Sequence, residues 1–62
     1  MRPGYWCDEW NDNYMSVYWS DDHGCYMMDY YTDQMRGRCV FNQELFNVLV
    51  KEYRMRLQKE AR

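Results

Sequence analysis

Cys25-Tyr26-Met27-Met28-Asp29-Tyr30-Tyr31 is the segment whose reading decides the fold of this 62-residue chain. With period two, Tyr26, Met28 and Tyr30 share one face, as in a half-buried strand. With helical spacing, Met28, Tyr31 and Met35 form a stripe, and a helix from Cys25 to Arg36 would end at Gly37 as a C′ residue. The flanks favour the strand. Tyr14-Met15-Ser16-Val17-Tyr18-Trp19 is rich in strand formers. Ser20-Asp21-Asp22-His23-Gly24 between the two segments is turn chemistry.

Outward from that hairpin, Thr32-Asp33-Gln34 reads as a second turn. Met35 to Phe41 reads as a third strand, with Gly37 as a bulge or kink. Period two then groups Met15, Val17 and Trp19 with Tyr26, Met28, Tyr30, Cys39 and Phe41 on one face. Asp29, Arg36 and Arg38 point the other way, where Asp29 can pair across strands. Downstream, residues 42–60 read as a C-terminal amphipathic helix, strongest from Gln43 to Lys59. Asn42 is its N-cap, and Phe41 and Phe46 have hydrophobic-staple spacing. Leu45, Phe46, Leu49, Val50, Tyr53 and Leu57 line its apolar face, and Val48 and Met55 its flank. Asn47, Lys51, Arg54, Gln58 and Arg62 lie on its back, and Glu52 and Arg56 form an i,i+4 pair. Residues 1–13 are an aromatic, acidic N-terminal segment. Trp6 and Trp10 there permit a helical turn, and Asn11-Asp12-Asn13 reads as a loop. The expectation is one small α+β domain, a three-stranded antiparallel sheet over residues 14–41 followed by one helix packed on a face.

Composition limits what such a domain can do. Leu, Ile, Val and Phe supply only nine residues, whereas Tyr, Trp and Met supply sixteen. A thin core and partly exposed aromatics follow, because so small a body cannot hide them all. No apolar run approaches the roughly 18–20 residues of a membrane span, and Met1 to Trp6 has no apolar signal region. Three cysteines without a secretory signal point to an intracellular, cytoplasmic setting with reduced thiols. Cys7, His23, Cys25 and Cys39 lack the close ligand pairs of structural zinc sites, so no metal and no cofactor is expected. One histidine, beside Ser20 and Cys25, makes a weak catalytic set, and a chain this short seldom builds a pocket for one. An enzyme is not expected.

Charge is divided along the chain. Residues 1–35 carry Asp8, Glu9, Asp12, Asp21, Asp22, Asp29 and Asp33 against Arg2 alone. Residues 36–62 are basic on balance. Lys51, Arg54 and Arg62, with Arg36 and Arg38, make a weak footprint for a small DNA-binding regulator. A pI near 5.1 is far from that of a dedicated nucleic-acid binder. The acidic half holds all three Trp and six of the seven Tyr. Carboxylates there can stand where phosphates would sit in a basic cleft, with aromatics as desolvated anchors. Asp8, Glu9, Asp12, Asp21, Asp22, Asp29 and Asp33, with Trp10 and Tyr18, are the candidate partner-binding residues.

In size, clustered acids and aromatic richness the chain resembles the small phage-encoded inhibitors of host defence, anti-CRISPR proteins among them. That resemblance implies a protein partner, such as a subunit of a CRISPR effector complex, and a possible DNA mimic. The resulting expectation is an inhibitor that binds a nucleic-acid-binding protein, with no direct nucleic-acid or membrane contact. The alternative from another class is an adaptor that binds through an exposed aromatic face.

Overall fold

The computed structural model describes residues 2–61. Cys25–Tyr31 is a strand, and it pairs with Tyr14–Ser20 along its whole length. The complete order is β1 (Gly4–Cys7), β2 (Tyr14–Ser20), β3 (Cys25–Tyr31), β4 (Arg36–Val40), α1 (Gln43–Tyr53) and β5 (Arg56–Glu60). These strands form one five-stranded antiparallel sheet in the order β4-β3-β2-β1-β5. The α+β class holds, but the expected three strands are five, and the helix is not C-terminal.

Both additional strands escape local pattern reading. β1 is only four residues long and sits between β2 and β5. It overlaps the stretch where Trp6 and Trp10 permit a helical turn. β5 occupies the stretch expected to be the last helical turns. The helix stops at Tyr53 because Arg54 adopts the left-handed conformation, φ 54°, and donates its N–H to the Val50 carbonyl. Met55 N–H reaches the same carbonyl, and the Met55 side chain is buried. Leu57 then pairs with Trp6 rather than extending the helical stripe. Arg56 therefore leaves the helix and makes no i,i+4 pair with Glu52. Lys59 and Gln58 are strand residues, and Arg62 lies outside the described residues.

Other local expectations are met. Asn42 accepts from the Leu45 N–H, capping the helix, and the Phe41 and Phe46 rings lie 5.5 Å apart. Gly37 makes no bulge, since β3 and β4 pair without a register shift. Its missing Cβ instead makes room for the Tyr30 ring, whose hydroxyl would lie 2.8 Å from an added methyl. The bulge is between Tyr5 and Trp6, opposite Gln58.

The helix connects opposite edges of the sheet, β4 to β5. Eleven residues give about 16 Å of helix, and four strand spacings give about 19 Å. It must therefore lie across one face. Met15, Val17, Met28, Phe46, Leu49 and Met55 form the core between the layers, with Trp6 set edge-on against Phe46. Val48, expected beside Met55 on the helix flank, stays 58% exposed and does not join it, whereas Met55 lies past the helix end and is buried. The two layers give a body 31 × 22 × 16 Å. Among the described residues, no element lies over the opposite sheet face.

Candidate binding face

Strand alternation decides what the uncovered face carries. Met15 and Val17 point to the helix, so Tyr14, Ser16 and Tyr18 point away from it. The register extends this across the sheet. One row reads Arg56, Cys7, Tyr14, Tyr31, Arg36, from the β5 edge to the β4 edge. The next reads Lys59, Tyr5, Ser16, Asp29, Arg38. A third reads Tyr18, Met27, Val40. Tyrosines occupy the middle, and cations occupy both edges.

The tyrosines form a ladder. Tyr14 and Tyr31 stack at 5.3 Å with 16° between their planes. Tyr5 leans on Tyr14 at 5.9 Å. The Arg36 guanidinium caps the far end, 4.8 Å from the centre of the Tyr31 ring. Cys7, in the Tyr14 row, and Met27, in the Tyr18 row, are both buried on this side. Burial, with Asp8 nearby, raises the Cys7 thiol above its ordinary pKa. A thiol held protonated in this way is a packing group rather than a nucleophile.

Asp29 is the one acid that the register places on this face, and its oxygens are engaged. Arg38 donates from Nε at 2.8 Å and Nη2 at 3.1 Å, and the Tyr18 hydroxyl donates at 3.0 Å. The Arg38 hydrogen bonds are the main cause of its lowered pKa. Two hollows meet at Tyr5. The smaller, about 410 Å³, lies between Tyr5 and Tyr18 over Ser16, with Lys59 and the Arg2-paired Glu60 at its rim. The larger, about 850 Å³, runs past Cys7, Arg56 and Tyr53 to Trp10 and Glu9.

The sequence-derived acids do not gather on one surface. Asp8, Glu9 and Asp12 lie in the β1–β2 loop with Trp10. Asp33, in the β3–β4 turn, joins that end through its N–H to Asn13 Oδ1. Asp21 and Asp22 lie in the β2–β3 turn at the other end, about 20 Å away along a seven-residue strand. Asp8 organises its own loop. It accepts from Asn13 Nδ2 at 2.8 Å and the Asp12 N–H at 2.9 Å, and the bonds from Asn13 chiefly depress its pKa. Of the nine candidates, only Tyr18 and Asp29 reach the uncovered face. His23 closes its turn on Ser20 Oγ, 2.8 Å from Nδ1.

No protein-family model, curated protein or solved structure matches this chain. The face must therefore be interpreted from its own chemistry. Tyr5, Tyr14, Tyr31, Arg36, Arg56 and Lys59 are the residues that sequence reading did not assemble. The tyrosine signal was present, since Tyr14 and Tyr18 alternate with Met15 and Val17. The edge cations were hidden because Arg56 and Lys59 read as helix. Cys39 faces the helix side, so the sheet separates its thiol from those of Cys7 and Cys25. All three are free, and no metal-binding group occurs among the described residues. No described helix is long and apolar enough to cross a membrane.

Proposed function

We propose that this chain is a non-catalytic binding module that holds its partner through the uncovered sheet face. The single observation behind this reading is the row Arg56, Cys7, Tyr14, Tyr31, Arg36: an aromatic centre between cationic ends, with no described element packed over it. Tyr and Arg are the residues that binding interfaces concentrate, because each offers apolar area and a polar tip. The acids at the two ends keep so aromatic a body dispersed. The three free thiols support an intracellular, reducing setting.

A second reading has its own observation. Trp10 is 75% exposed beside Glu9 in the β1–β2 loop. An acidic end with an exposed indole suits entry into a basic nucleic-acid cleft, as for an anti-CRISPR inhibitor acting on a CRISPR effector subunit. The mimic would then use Asp8, Glu9, Asp12 and Asp33 without Asp21 and Asp22.

Capture from lysate separates the two readings. An Arg36→Glu, Lys59→Glu double variant alters only exposed positions of the face. A Glu9→Lys, Asp12→Lys double variant alters only the acidic end. The face reading expects the first variant to lose what the native chain retains and the second to keep it. The opposite pattern would replace the face reading with the inhibitor.

A further inference from the structure

We propose that the uncovered face binds single-stranded nucleic acid, laid across the strands with one base in the hollow between Tyr5 and Tyr18. This rests on the reading of that face as the working surface. Single strands are held by aromatic rings on which bases stack and by cations that follow the phosphates. Both are here, in the arrangement that use requires. Tyr5, Tyr14 and Tyr31 hold the middle, and Tyr5 ends the ladder on the side where the hollow opens. A base entering there continues the stack onto Tyr5, with Ser16 below it as a hydrogen-bonding group and Lys59 at the rim for its phosphate. Arg36 and Arg38 stand at the opposite edge, about 19 Å away across four strand spacings.

Local charge decides the class of occupant. The chain is acidic overall, at −2, but this face carries Arg36, Arg38, Arg56 and Lys59 against Asp29, with Glu60 beside the hollow paired to Arg2. Asp29 is already matched by Arg38 and the Tyr18 hydroxyl. An anionic ligand therefore meets cations and engaged acceptors only. A second copy of this chain would bring the same cationic edges face to face, which repels. A duplex keeps its bases stacked inside and presents none to the hollow. The acidic ends set the direction. Asp8, Glu9, Asp12 and Asp33 close one end of the strands, and Asp21 and Asp22 close the other. A polyanion running along the strands would meet one of these groups, whereas a path from Lys59 to Arg38 meets neither.

The test is a titration of the full-length, isotopically labelled chain with fluorescein-labelled ten-nucleotide oligomers of deoxythymidine and of uridine. Anisotropy reads affinity, and amide shifts read position. The expected result is binding that shifts the amides of Tyr5, Ser16, Tyr18 and Lys59. It should weaken with salt, with a log–log slope of about −0.7 for each phosphate contact. Lys59→Glu should weaken it at least about five-fold, and Tyr5→Leu likewise, with Tyr5→Phe restoring affinity because the ring is retained. Asp21→Asn with Asp22→Asn should leave it unchanged or tighten it. The proposal is overturned if neither oligomer binds in 20 mM salt. Equal binding of a matched duplex would also overturn it, as would amide shifts confined to Lys51 and Arg54 on α1. If the oligomers fail but Arg36→Glu with Lys59→Glu still abolishes capture of a protein, the nucleic-acid inference falls and the face reading stands. If capture is also indifferent to that variant, both fall.

Discussion

Met27 and Met28 are neighbours in one strand, both buried, and they belong to different surfaces. Met28 is sealed by a helix, among Met15, Val17, Phe46 and Leu49. Met27 is sealed by side chains of its own sheet. The helix side is a two-layer core, whose neighbours cannot move without moving backbone. The open side is a single layer of rings over a sheet, and rings can turn. This difference separates the part that makes the fold from the part that is available for work.

Truncating the two methionines measures it. Met28→Ala should cost about 2–5 kcal/mol, since the helix and sheet cannot close on the cavity. A domain this small commands about 3–5 kcal/mol in all, so the variant should be largely unfolded by far-UV circular dichroism. Met27→Ala should fold, with a urea midpoint only modestly below the native chain's, because Tyr18 and Val40 beside it can settle into the space. Equal losses would make the open face a second rigid core and remove the contrast.

Gly4→Ala tests the edge where the two surfaces meet. Gly4 has φ +148°, and an added Cβ would lie 2.2 Å from the Lys59 carbonyl oxygen. Backbone must move, and the expected cost is about 1–3 kcal/mol. Hydrogen exchange should show it as lost protection along Arg56–Glu60, with α1 still protected. Even loss over the whole chain would mean that β5 is integral to the core rather than an edge laid against it.

Acid titration sharpens the open side alone. The Asp29 carboxyl titrates below its ordinary value, held chiefly by Arg38. A depressed folded pKa means that its contribution is complete above the unfolded value, about 3.9. It is lost as pH falls from there through the lower folded value. Asp8 acts in the same direction through Asn13. The Asp29–Arg38 pair is well exposed, so the effect should be under about 1 kcal/mol. Asp29→Asn should flatten the fall in melting temperature as pH drops below about 4, relative to the native chain. Unchanged acid sensitivity would assign it to other carboxylates.

These elements were unequally legible in the sequence. The β2–β3 hairpin could be read because alternation, turn residues and strand formers agree there. The helix start was readable because Asn42 and the Phe41–Phe46 staple are local devices. The helix end was not. Arg54 takes a left-handed conformation without being glycine or asparagine, and Leu57 falls at helical spacing from Tyr53 by coincidence. Arg56-Leu57-Gln58-Lys59-Glu60 has one apolar residue and becomes a strand only because β1 offers an unpaired edge. The candidate site suffered from the same error. Its tyrosines are the other half of the alternation that marks the core. Its β5 cations could not be placed until the strand was known. Acids near in sequence were read as one surface, whereas successive hairpin turns fall at opposite ends of a sheet.

The smallest effect concerns Trp10, which belongs to neither surface. Trp6 wedges edge-on against Phe46, 5.0 Å between ring centres, and contributes to the core. Trp10 is 75% exposed at the far end of the larger hollow. Trp10→Ala should therefore change stability by no more than about 0.5 kcal/mol, read as an unchanged urea midpoint. Its value lies in what it does to binding. If the occupied path crosses from Lys59 to Arg38, removing Trp10 leaves affinity for the partner untouched. If affinity drops while the midpoint holds, the partner extends into the acidic end. Indole and carboxylates would then act together, and the working surface would have to be redrawn from the sheet face to the β1–β2 loop.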